Sequence, residues 1–272
     1  MIKAIFVDAG HGLGPTGGID NGAAGNGTTE RKEVVAMAQS LAGQLSADPD
    51  FRGVQIIKVS VDERLMLIDH IKEVNILCQE NQWKSEDALL LSIHVNAASD
   101  PAARGLEAWY SPRFPTMIDF AKTLVEQVAT TTGLPPRSRP ALISSDNRWG
   151  RLGILDDTLC VGCLFEAGFL SNEFDAKVLT DAALREKIVD GLHRAIRVQC
   201  SLPPLHGPAT PPTSFTDLPA LAWYREDVKL CLREGLFQMS ADGLFHPERP
   251  VSRAELATVL ARHLRSHHGI QG

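Results

Sequence analysis

The sequence predicts an α/β fold, a mostly parallel twisted sheet with helices on both faces, followed by a small α-helical C-terminal module. Three observations carry this. Strand-like and helix-like apolar patterns alternate through the first 200 residues, which implies a parallel sheet covered on both sides. The stretch Ala88–Val95 is an almost unbroken apolar run, as in a central strand with no solvent-facing side. Ser201–Ser214 then holds five prolines, which continue neither helix nor sheet and favour an extended spacer.

The elements follow in order. Ile2–Val7 is a short apolar run ending in glycine-rich sequence, and reads as a strand. Glu30–Leu45 sets Val34, Val35, Ala38, Leu41, Ala42 and Leu45 at helical spacing, with Thr29 as a cap. Val54–Val59 reads as a strand, and Leu65–Leu77 as a helix through Leu65, Ile68, Ile71, Val74 and Leu77. After the central strand come a strand at Gly105–Tyr110, a helix at Met117–Val128, a strand at Cys160–Glu166 and one long helix at Asp175–Val198. Gly133–Gly153, with Pro135, Pro136 and Pro140, has no clear period and reads as a long loop beside the site. The expected boundaries are 1–200 for the body, 201–214 for the spacer and 215–272 for the tail. The tail shows two short amphipathic helices, about 223–234 and 252–265. Ser252 and Glu255 are spaced as a capping box.

Composition narrows the function. An apolar fraction of 44% with 22% charge is ordinary globular material. No run has the 18 or so apolar residues of a membrane span. The net charge is −6, its excess acid all lies in the first 200 residues, and no basic stripe appears; this argues against nucleic acid as a partner. Five cysteines, sparsely placed, make no disulfide framework. Cys160-x-x-Cys163 sits in an apolar stretch and reads as two small buried hydrophobes rather than a redox pair. The N-terminal stretch shows none of the regions of a signal peptide.

Four short stretches place a metal-type side chain near predicted strand ends or a helix start: Asp8-Ala-Gly-His-Gly12, Thr28-Thr-Glu-Arg-Lys32, Ser92-Ile-His-Val-Asn-Ala97 and Phe165-Glu-Ala-Gly-Phe169. Two imidazoles, His11 and His94, with the carboxylate of Glu30 make a three-ligand set with an open fourth position, the arrangement of catalytic zinc. Glu166, on a separate apolar strand, suits a general base. Taken singly, each histidine is more often a hydrogen-bonded structural residue, and Glu30 a first-turn carboxylate. His11, His94 and Glu166 each fall at or just past the end of a predicted strand, where such folds put their sites, and this favours one centre. Glu33 is the alternative to Glu30. Asp8 reads equally as the residue that orients His11 and as a sheet-end carboxylate capping loop amides. Asn96, two residues after His94 on the same side of an extended chain, is a candidate for substrate binding.

These motifs, together with Asp20-Asn-Gly-Ala-Ala-Gly-Asn-Gly27 and Glu166-Ala-Gly-Phe-Leu-Ser-Asn172, resemble the zinc-dependent N-acetylmuramoyl-L-alanine amidases of the type-3 family over residues 1–198. The resemblance implies Zn2+ on His11, Glu30 and His94, Glu166 as the catalytic glutamate, and peptidoglycan as substrate. The bond broken joins N-acetylmuramic acid to L-alanine. The loop Leu13–Ile19 is enlarged relative to the family pattern. The tail, from Phe215-Thr-Asp-Leu218 through Val251-Ser-Arg-Ala-Glu-Leu-Ala257 to Leu260-Ala-Arg262, resembles a single S-layer homology repeat, which implies a cell-wall polymer contacted by Arg253. A protein acting at the bacterial cell wall, made in the cytoplasm and released by lysis or exported by another route, is the resulting expectation. Two rivals stay open at this point: a non-catalytic wall-anchoring protein with a degenerate body, and a zinc peptidase acting within the stem peptide.

Overall fold

Strand β1 (Ala4–Ala9) is buried along its whole length. It leads into two small hairpins, β2 (Gly12–Leu13) with β3 (Ile19–Asp20) and β4 (Ala24–Gly25) with β5 (Thr28–Thr29). The second turns on Asn26-Gly27, both with positive φ (47° and 79°), the backbone a two-residue hairpin turn requires. Helix α1 (Glu30–Ala47), strand β6 (Gln55–Val59), helix α2 (Leu67–Glu80) and strand β7 (Ala88–Asn96) follow. Then come β8 (Leu106–Tyr110), α3 (Met117–Thr132), β9 (Pro136–Ile143), the short α4 (Gly153–Asp156), β10 (Val161–Phe169), α5 (Glu173–Thr180) and α6 (Ala182–Gln199). The computed structural model describes residues 2–202 and, beyond them, 216–219, 222, 224–233, 237, 244–253, 256, 259 and 260.

The six-stranded sheet has the order β6-β1-β7-β10-β8-β9. β6, β1, β7 and β10 are parallel, β8 runs antiparallel to β10, and β9 is parallel to β8. The expected mostly parallel sheet with helices on both faces is therefore present. Side-chain alternation sorts the two faces. Ile5, Val7, Leu89, Leu91, Cys163 and Phe165 join α1, α3 and α6 in one core. Ala4, Phe6, Leu90 and Leu164 join α2 and α4 in a smaller one. Cys160 belongs to the second core and Cys163 to the first, so the two thiols are separate buried hydrophobes.

Two sequence expectations need correction. The long helix at Asp175–Val198 is two helices. Asp181 adopts extended backbone (φ −79°, ψ 122°) and its carboxylate accepts from the amides of Ala183 and Leu184, ending α5 and capping α6. The loop at Gly133–Gly153 contains strand β9. Its prolines are compatible with an edge position, where no neighbour claims the missing amide, and its pairing with β8 is irregular between Leu106 and Ala108.

The contacts divide the chain into two units, Met1–Leu202 and Pro203–Gly272. In the second, α7 (Arg225–Arg233) packs Val228 and Leu232 against Leu218, Tyr224 and Phe245. The Asp217 carboxylate accepts from the amides of Phe245 (2.9 Å) and His246 (2.6 Å). The spacer over 203–214 and most of the expected second helix, Glu255 included, lie outside the described residues. No helix among the described residues is long and apolar enough to cross a membrane.

Candidate metal centre

The carboxyl ends of β1, β7 and β10 converge with the start of α1. Gly10 donates to the Ile93 carbonyl at 3.0 Å, which locks the β1 exit against β7. The next residue, His11, turns in left-handed backbone (φ 65°). Glu30 is the first residue of α1, set there by the hairpin before it: its amide donates to Ala23 at 2.7 Å. His94 lies near the end of β7, and Glu166 is its register partner on β10.

These residues meet. His11 Nε2 lies 3.0 Å from Glu30 Oε2, and His94 Nδ1 lies 3.0 Å from Glu30 Oε1. The three donor atoms fall within 4.8 Å of one another. Two backbone amides, Ala23 and Val95, also donate to the Glu30 carboxylate at 2.9 Å, so it is clamped from both sides. The packing leaves no spare room. A Cβ on Gly22 (φ 65°) would sit 2.4 Å from Glu30 Oε2 and 2.6 Å from the His11 ring. One on Gly10 would sit 2.4 Å from the His94 ring. Glycine is needed at both places for the ligand side chains to approach.

The electrostatics match a cation site. Burial disfavours charge on His11, but hydrogen bonds and charges from Glu30 and Asp20 outweigh it and push the imidazole up to about 9. Burial likewise opposes ionisation of Glu30, yet the hydrogen bonds from His11 and His94 hold it well below the usual carboxylate range. Glu166 is the opposite case. Burial, and then the negative charges of Glu30 and Glu107, push its carboxyl well above the ordinary value. Its Oε2 is buried without a hydrogen-bond partner.

Around this centre the structure corrects one reading and separates two neighbouring carboxylates. Asp8 does not orient His11. It faces α2, where Oδ1 pairs with His70 Nδ1 at 2.8 Å and Oδ2 accepts from Ser92 Oγ at 2.5 Å. The group on His11 Nδ1 is Asp20, at 3.0 Å, which orients the ring with Nε2 facing Glu30. Glu33 points away from the centre. It accepts from Thr28 (2.5 Å) and Arg185 (2.7 Å) and ties β5 to the α5–α6 junction. Asn96 donates its Nδ2 to Glu107 Oε1 at 3.0 Å. Glu107, the antiparallel partner of Glu166 on β8, is paired with Arg137 of β9 at 2.6 Å. Arg253 is an exposed residue of the second unit. Sequence reasoning missed Asp20, His70 and Glu107, each joined to its partner across the fold or a hairpin rather than by a periodic spacing. Beside the centre lies a cavity of about 180 Å³, with His11, His94, His70 and Asp8 among its polar walls and Leu13, Leu67 and Ile154 among its apolar ones.

Comparison with known proteins places the chain in a family. The N-acetylmuramoyl-L-alanine amidase family matches residues 5–198, and the S-layer homology domain matches residues 214–257. The N-acetylmuramoyl-L-alanine amidase LytC of Bacillus subtilis (strain 168) is 25% identical over 194 residues, 70% of this chain. The chain spans only 34% of that relative's length. The catalytic domain of CwlV, an N-acetylmuramoyl-L-alanine amidase from Bacillus (Paenibacillus) polymyxa var. colistinus, superposes with a TM-score of 0.58 at 22% identity, covering 74% of this chain and 99% of that one. The CwlD amidase of Clostridioides difficile, solved in complex with the GerS lipoprotein, gives 0.56 at 25% identity, covering 73% and 98%.

Proposed function

The chain belongs to the N-acetylmuramoyl-L-alanine amidase family, and on that premise we propose that it hydrolyses the amide between N-acetylmuramic acid and L-alanine in peptidoglycan. His11, Glu30 and His94 hold a zinc ion, and Glu166 is the general base. One observation carries the reading. Two imidazoles converge on a single clamped carboxylate, and the neighbouring strand offers a buried carboxylate with an orphaned oxygen. Two nitrogens and one oxygen suit zinc, and three protein ligands leave a position open.

Zinc in such a set supplies a Lewis acid that lowers the pKa of water and stabilises developing negative charge on a carbonyl oxygen. The chain's own residues do the rest. Glu166 takes the proton of the attacking water and returns it to the leaving amine. Burial and the charges of Glu30 and Glu107 raise its proton affinity in the metal-free fold. Glu107, held by Arg137 and Asn96, contributes to that setting. Asp20 orients the His11 ring with Nε2 facing Glu30. Asn96 is in place for substrate at the end of β7. In the tail, the S-layer homology match supports binding of a cell-wall polymer and action at the wall, and Arg253 is the residue that would contact the polymer.

The direct test is to digest peptidoglycan with zinc-loaded and chelator-treated protein and identify the new amines. New L-alanine N-termini that need zinc are expected. Other amines indicate a peptidase acting within the stem peptide. No zinc uptake and no solubilisation indicate a wall-anchoring protein with a degenerate body.

The metal-free chain should also respond to pH in a defined direction. His11 has its pKa raised from 6.5 to about 9 in the fold. Its pairing therefore stabilises fully below 6.5, and the contribution is lost as pH rises through about 9. Zinc uptake runs the other way, because the ring must shed its proton. Thermal melts and chelator competition across that window should show the midpoint falling while zinc affinity climbs. Parallel trends would contradict the assignment.

A further inference from the structure

Arg31 follows Glu30 on α1, yet its guanidinium turns away from the carboxylates. It is 4% exposed and donates to five backbone carbonyls. Nη1 reaches Ala9 (2.8 Å), Gly10 (3.3 Å) and His11 (3.2 Å). Nη2 reaches Glu63 (3.0 Å) and Ser60. Two of these carbonyls belong to residues in left-handed backbone, His11 (φ 65°) and Ser60 (φ 52°). Side-chain-bearing residues avoid that region unless something holds them there. The turn at His11 joins the 60–65 loop a second time, through Leu13 N to the Leu65 carbonyl at 2.9 Å.

We propose that Arg31 is a positioning residue for the metal centre: by gathering the carbonyls of residues 9–11 and 60–63 around one guanidinium, it holds His11 in the backbone conformation that aims its ring at Glu30 and His94. The proposal rests on the zinc reading above. The first turn of α1 then sets two ligands at once, Glu30 directly and His11 through its neighbour. A planar group with five donors is suited to this; an ammonium is a compact point with three. Charge-assisted bonds to oriented carbonyls offset the removal of the cation from water.

The test uses the full chain with Arg31→Lys and Arg31→Gln. Zinc affinity is read by competition with a chromophoric chelator, stability by melting of the chelator-treated chain, and loop order by amide exchange at residues 10–13. Arg31→Lys should bind zinc about 10–100-fold more weakly, the usual cost of losing a group that orients a ligand. Arg31→Gln should bind more weakly still. Metal-free Arg31→Lys should melt within a few degrees of wild type, with faster exchange at 10–13. Unchanged zinc affinity overturns the proposal. So does a metal-free Arg31→Lys chain without cooperative melting, since the residue would then serve folding as a whole. If Arg31→Gln does not fold, Arg31→Lys carries the comparison. A wild type that takes up no zinc removes the zinc reading instead, and exchange at 10–13 unchanged by Arg31→Lys then overturns the clamp.

Discussion

Glu166→Gln should keep about one zinc per chain and lose amide hydrolysis by about 10²–10⁴-fold, the range a positioned acid–base group contributes. The substitution suits the site because it preserves shape. Glu166 lies in the middle of a sheet, bonded across to β7 and β8, and its neighbours on the strand are core residues. A neutral amide there removes a carboxyl that burial already disfavours as an ion, so the fold should tolerate it. The proposed zinc ligands, His11, Glu30 and His94, lie outside β10. Zinc content by atomic absorption and release of L-alanine amines are measured on the same sample. Full activity in the variant would remove Glu166 from the mechanism. Loss of zinc together with activity would mean that the strand, rather than the base, had been disturbed.

The largest effect on stability alone is expected from Asp48→Ala, far from the chemistry. Asp48 ends α1, where its carboxylate accepts from Arg197 and pairs with His193 Nε2 at 2.9 Å. Arg197 is 2% exposed. Removing the acid takes away one partner of a buried guanidinium; breaking a buried pair outright costs about 3–5 kcal/mol. Asp50 still engages the other nitrogen, so the loss should fall at the low end, about 3 kcal/mol. Urea unfolding of the metal-free chain reads it. The eighteen residues of α1 put this cluster roughly 27 Å from Glu30 at 1.5 Å per residue, so zinc affinity should not change. A change below about 1 kcal/mol would mean that the cluster is as weak as a surface pair.

Much of this architecture was legible in the sequence because its signals are local. A continuous apolar run marks β7, helical spacing marks α1, and two histidines and two glutamates stand in short motifs at strand ends or a helix start. Choices that depend on which way a side chain faces were not. Asp8 follows an apolar strand and looks like a partner for the nearby His11, but alternation turns it toward α2 and a histidine 62 residues on. Glu30 and Glu33 sit one helical turn apart, and only the contacts separate the carboxylate beside the two histidines from a tether to Arg185. β9 was hidden because an edge strand tolerates prolines that read as loop. The break at Asp181 was hidden because apolar spacing runs on through it, although an aspartate ahead of a helix is itself a capping signal.

The alternation of the sheet has a consequence for how this protein is made. His94, Glu166 and Glu107 are register partners on one face, and Ile93, Phe165 and Ala108 are register partners on the other. A one-residue slip of β7 would exchange His94 for a core residue and bury an imidazole among aliphatic side chains. Correct pairing of the sheet and assembly of the proposed metal site are then one event. Zinc bound per milligram of refolded protein would report the fraction of chains in the right register, with no substrate required.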